Sequence, residues 1–98
     1  MKEELVKKRV KAVLSALGIY WFMPTTHGYG HSGLSDIVGC FQGYFIGIEC
    51  KGDGGRTTAL QDRELERIRA AGGFAMVITP DNVDTLAHLL EIFIKEKS

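Results

Sequence analysis

Near the start of the chain Val6, Val10, Val13 and Leu17 recur at three- and four-residue steps, and Leu5 and Leu14 widen the stripe. That period predicts a helix, which Gly18 ends. The next run, Ile19-Tyr20-Trp21-Phe22-Met23, is rich in aromatics and closed by Pro24, the pattern of a strand. Gly, His, Ser and Thr then dominate from Thr25 to Ser35, so this stretch reads as a loop. Asp36 to Phe41 and Tyr44 to Lys51 flank Gln42-Gly43, which suits the two-residue turn of a hairpin. Gly52-Asp53-Gly54-Gly55 forms a second loop. Thr57 or Thr58 caps a helix running to about Ala71, with Leu60, Leu65 and Ile68 on its inner side and Gly72-Gly73 as its stop. Phe74 to Thr79 reads as a short buried strand. Pro80 and Asp81 lead into a last helix with Leu86, Leu89, Leu90 and Phe93 as its apolar stripe.

The order is helix, three strands, helix, strand, helix. It predicts an α/β sandwich around a mixed four-stranded sheet. The strand after the second helix is expected to run parallel to a hairpin strand, by a right-handed crossover. With 98 residues and no obvious linker, residues 1–98 are expected to form a single domain.

Composition narrows the classes. A hydrophobic content of 45% and a charged content of 24% are those of an ordinary globular protein. No apolar run approaches the roughly 18 to 20 residues that span a bilayer, and the start lacks a signal-peptide pattern, so a cytoplasmic protein without membrane contact is expected. Twelve basic residues balance twelve acidic ones, so net charge does not itself point to nucleic acid. Basic residues do cluster, at Lys7, Lys8, Arg9 and Lys11 and again at Arg56, Arg63, Arg67 and Arg69; solvated helix faces account for either cluster taken alone. Cys40 and Cys50 suggest neither a disulfide framework nor, with His27, His31 and His88, a zinc site.

The hairpin carries the candidate chemistry. If Gln42 and Gly43 make the turn, Phe41 faces Tyr44, Cys40 faces Phe45 and Ile37 faces Ile48. Asp36 then lies opposite Glu49. Opposed side chains share a face, with β-carbons about 4.5–5.5 Å apart, and Lys51 points to that face too. Two opposed acids destabilise a strand pair unless a cation joins them, and a divalent ion with oxygen ligands does so. The Cys50 carbonyl could add a ligand, while Lys51 could contact a scissile phosphate or help orient or deprotonate water. Such parts suit phosphodiester hydrolysis. A surface charge cluster neutralised by Lys51 is the plainer alternative.

Ser35-Asp36 followed by Glu49-Cys50-Lys51 on the next strand resembles the PD-(D/E)XK nuclease superfamily. More narrowly, Gly33-Leu34-Ser35-Asp36-Ile37, Ile48-Glu49-Cys50-Lys51 and Gln61 early in the next helix resemble the VRR-NUC family in its small stand-alone form. The resemblance covers nearly the whole chain. One departure is Ser35, where the family pattern normally has Pro. The resemblance implies a restriction-endonuclease-like αβββαβ core, here with an added C-terminal helix. It also implies that Asp36 and Glu49 bind Mg²⁺ or Mn²⁺, that Lys51 assists hydrolysis and that Gln61 helps organise the site. The family's glutamate on the first helix fits Glu3, which shares the phase of Val6 and Val10 and could reach the metal through water.

Small stand-alone members of that family look like Holliday-junction resolvases. The resemblance therefore implies a metal-dependent, structure-selective endonuclease acting on branched DNA, a four-way junction, as a homodimer, and suggests a phage or prophage origin. A flap, single-strand or restriction-like nuclease keeps the same chemistry. A non-catalytic nucleic-acid-binding domain with a nuclease fold is the alternative from another class. Candidate DNA contacts are Lys8, His31, Arg56 and Thr58, the last two beside helix amides that could receive a phosphate, although capping alone accounts for the threonine. Gly28-Tyr29-Gly30-His31-Ser32-Gly33 matches a dinucleotide-binding fingerprint, but a strand follows where a helix is needed, so no nucleotide cofactor is expected.

Overall fold

The computed structural model describes residues 1–25 and 33–98. Helix α1 (Glu3–Ala16) is followed by strands β1 (Tyr20–Phe22), β2 (Ile37–Phe41) and β3 (Tyr44–Cys50), helix α2 (Ala59–Ala70) and strand β4 (Phe74–Ile78). A 3₁₀ turn (Val83–Thr85) then leads into helix α3 (Leu86–Glu96). The strands form one sheet in the order β1-β2-β3-β4. The first two pairings are antiparallel and the last is parallel. This is the mixed sheet that the pattern of elements predicts.

The hairpin has the expected register, with Phe41 opposite Tyr44 and Ile37 opposite Ile48. Both turn residues have positive φ, 50° at Gln42 and 89° at Gly43, so the two-residue loop twists as a tight hairpin requires. The ladder stops at Ile37–Ile48, however, one residue short of the expected Asp36–Glu49 pair.

Two layers of helix cover the sheet. On one face α1 and α3 bury the main core, in which Val6, Val10, Leu14, Ile37, Ile46, Ile48, Ile78, Leu86 and Leu90 are fully inaccessible. Each such aliphatic side chain contributes roughly 1.5–3 kcal/mol by leaving water. On the other face α2 lays Leu65 and Ile68 on Ala75, with Val77 beside them. Gly47 permits that close seating: a β-carbon there would lie 2.5 Å from Ile68 Cδ1 and 3.1 Å from Ser35 Oγ. The chain enters α3 through the 3₁₀ turn instead of starting a regular helix at Pro80. Asn82 explains this, because its side chain accepts from Thr79 N–H and donates to the Val77 carbonyl, holding a turn at that point. Among the described residues, no helix is long and apolar enough to cross a membrane.

Candidate functional site

The C-terminal end of β3 brings the predicted residues together. Glu49 is 1% exposed, on the α2 side of the sheet. Its Oε1 accepts a hydrogen bond from Gln61 Nε2 at 3.0 Å and lies 3.6 Å from Lys51 Nζ. Its Oε2 is buried and has no hydrogen-bond partner among the described residues. Burial first, and then the neighbouring Asp36 carboxyl, push the Glu49 pKa up to about 8, against the pull of Lys51.

Asp36 reaches this place by a different route from the expected one. β2 has left the ladder, and the Asp36 carboxylate turns inward, where Oδ2 accepts from the Cys50 N–H at 2.8 Å. A side-chain oxygen thus takes the part of the missing strand carbonyl, because the side of β3 that β2 has left would otherwise keep a buried donor unpaired. The Asp36 and Glu49 carboxyl groups are still close enough to act directly on each other. Cys50 lies beneath them, with its thiol pushed up to about 12 by burial and by these two acids. Both cysteines are free, with Cys40 exposed and Cys50 buried, as opposite faces of a sheet dictate.

Gln61 is placed by the start of α2. Thr58 caps the helix: its Oγ1 accepts from the Gln61 N–H at 3.2 Å, and Gln61 Oε1 accepts from the Thr58 N–H at 2.9 Å. This reciprocal capping box fixes the Gln61 side chain so that its amide NH₂ is left to point at Glu49. One residue therefore joins a helix end to the buried acid. Thr58, rather than Thr57, is the cap, and its hydroxyl and N–H are both engaged.

Glu3 faces the same end of the molecule, but its partner is Lys7, at 3.3 Å. Lys8 and Arg56 are exposed, and His31 lies outside the described residues. Lys7 went unselected by sequence reasoning beyond its place in a basic cluster. Its side chain is only 16% exposed and its ammonium feels Asp36. The signal was the Glu3–Lys7 spacing of four, which puts both residues on one flank of α1.

The donor set suits a hard divalent cation. Two carboxylates meet, one of them with a buried oxygen that has no hydrogen-bond partner among the described residues, and oxygen ligands are what Mg²⁺ and Mn²⁺ take. Among the described residues no group of three or more His, Cys, Asp or Glu side chains is arranged around a common point, so backbone oxygens and water would have to complete the shell.

The mixed sheet between helices, together with its likeness to a solved structure, makes this a nuclease-fold domain. Among solved structures the chain is similar to a VRR_NUC domain at 28% sequence identity and a TM-score of 0.73, covering 90% of this chain and 96% of that one. No family sequence model matches the chain, and neither does any curated protein. The likeness in fold supports the chain's membership of the VRR-NUC family, and with it a nuclease type of enzyme.

Proposed function

We propose that the protein is a metal-dependent, structure-selective DNA endonuclease, a Holliday-junction resolvase that works as a homodimer. The observation that carries the metal-dependent chemistry is the buried Glu49 Oε2, which lies beside Asp36 and has no hydrogen-bond partner among the described residues. An acid kept in that position costs stability unless a cation or proton joins it. Asp36, Glu49 and the Cys50 carbonyl would hold Mg²⁺ or Mn²⁺, with Glu3 reaching it through water. When bound, the ion would stabilise negative charge on phosphorus and acidify water. Lys51, anchored by Glu49, is in place to hold a phosphate oxygen or to orient the attacking water. Gln61 keeps Glu49 Oε1 engaged and so leaves Oε2 for the ion. Arg56 and Lys8, both exposed, are available to the DNA backbone, while the engaged Thr58 is less so.

The homodimer has support in one uncovered patch. Tyr20 (70% exposed), Phe22 (48%) and Phe45 (50%) share the sheet face that carries α2 and stay exposed there. Such a patch marks an association surface, and two symmetric cuts across a junction call for two sites.

The test offers purified protein labelled four-way junctions, flaps, single strands and linear duplexes, with Mg²⁺, Mn²⁺ or chelator. Symmetric cleavage of the junction, abolished by chelator and reduced by at least about a hundredfold in Lys51→Ala, is expected. Preference for a flap or single strand would move the substrate assignment. Absence of cleavage on every substrate would leave a binding domain that keeps the fold.

A further inference from the structure

Lys7 is poorly explained as an ordinary surface lysine. It lies on α1 between Val6 and Val10, which are fully buried, and only 16% of its own side chain is exposed. Lysine is seldom buried to this extent without partners. Its ammonium lies 3.3 Å from Glu3 and 3.6 Å from Glu4. Pairs of that spacing on an exposed helix contribute only a few tenths of a kcal/mol, too little by themselves to draw a lysine inward. A third acid acts on it from another element: the charge of Asp36 attracts the ammonium as well, and together the three acids more than offset the burial that would lower its pKa.

The docking of α1 accounts for this reach. A β-carbon on Gly52 would lie 2.6 Å from the Glu3 nitrogen and 3.0 Å from the Met1 carbonyl, so the helix start sits directly on the residue that follows Lys51. Asp53 N–H donates to the Met1 carbonyl at 3.0 Å and secures the contact. The site is therefore flanked by two lysines. Lys51 lies 3.6 Å from Glu49, and Lys7 belongs to the helix start that docks on the next residue, Gly52, where the charge of Asp36 acts on its ammonium.

We propose that Lys7 is a positioning residue whose fixed positive charge, in the helix start docked beside Lys51, sets how tightly the carboxylate pair takes a divalent cation. This rests on the reading of Asp36 and Glu49 as metal ligands. Without metal, the ammonium offsets repulsion among Asp36, Glu3 and Glu4. With metal, the same charge repels the ion, so affinity is lower than Asp36 and Glu49 alone would give. Lys7 also keeps Glu3 turned toward it, and thus away from direct ligation.

The experiment is calorimetric titration of Mn²⁺ into the whole chain without DNA, for wild type, Lys7→Met and Lys7→Arg. Lys7→Met is expected to bind about three- to tenfold more tightly, since it loses a nearby repulsive charge, and Lys7→Arg to stay near wild type. A merely structural lysine would leave affinity unchanged or weaken it on removal. Unchanged or weaker binding by Lys7→Met, or tighter binding by Lys7→Arg, overturns the proposal. Melting curves without metal establish that each variant is folded, and Lys7→Gln replaces Lys7→Met if the latter is not. If wild type itself takes up no Mn²⁺, the metal reading of Asp36 and Glu49 fails and this proposal falls with it; the other negative results remove the role of Lys7 alone.

Discussion

Glu49 holds two opposing demands in one side chain. Its burial favours the protonated form, whereas a metal ligand has to be ionised. Because the folded pKa lies near 8 and an ordinary glutamate titrates near 4.5, the metal-free folded chain holds a proton that the unfolded chain has released between those values. The stability contributed by that proton is complete below about 4.5 and is lost as pH rises through about 8. Melting temperatures in chelator should therefore fall in wild type relative to Glu49→Gln between pH 5 and pH 9, by several degrees. Added Mn²⁺ should raise wild type at the alkaline end and leave Glu49→Gln nearly unmoved. A parallel pair of pH curves would show that the buried acid is not the source. At this scale the residue types were legible: Asp36, Glu49, Lys51 and Gln61 gather at one end of the sheet, although Asp36 does so outside the ladder and not in the register pair expected with Glu49. The inward turn of Asp36 was not, because a side chain replacing a ladder bond leaves no periodic trace. Lys7 stayed hidden for a similar reason, since its reach depends on how α1 docks against Gly52.

The start of α2 separates two contributions that usually travel together. Thr58→Ala removes the helix cap and should cost about 1 kcal/mol of stability, with the Glu49 contact largely kept. Gln61→Glu retains the reciprocal cap, for which glutamate is a normal partner, but sets a second carboxylate against Glu49. Denaturant melts and cleavage rates should therefore diverge. Thr58→Ala is expected to lose stability with activity within a few-fold of wild type, and Gln61→Glu to lose activity by tenfold or more. Equal losses in both variants would mean that Gln61 acts through the helix alone. Most elements were readable from periodicity, and their ends moved by a residue or two. The 3₁₀ entry to α3 was not, because Pro80-Asp81 suits a helix start and only the contacts of Asn82 with Thr79 and Val77 impose the turn.

For the molecule as a whole, the uncovered face of β1 and β2 decides how two copies could meet. β1 is a three-residue edge strand, held close to β2 at Gly39, and its exposed rings project from the sheet beside Cys40. If the proposed homodimer forms through this face, a Phe22→Glu variant, which should remain folded because the position is half exposed, should sediment as a monomer at concentrations where wild type pairs. Junction cleavage should fall with dimerisation, while Mn²⁺ affinity at each separate site stays the same. Wild type that is monomeric at every concentration would remove this face from the mechanism. The mixed sheet and its layers followed from the order of the elements, whereas this patch did not, since aromatic runs in a strand read equally well as core.

The link from Thr58 through Gln61 to Glu49 also bears on when the enzyme can first become active during synthesis. Asp36, Glu49 and Lys51 all precede α2 in the chain, so the acids and the lysine are made before the parts that bury and orient them. Until α2 caps itself and β4 pairs with β3 alongside Glu49, that carboxylate is solvated and Gln61 has no fixed place from which to hold it. The proposed site is thus assembled only after α2 and β4 are made, and an emerging or partly unfolded chain carries its chemical groups without their arrangement.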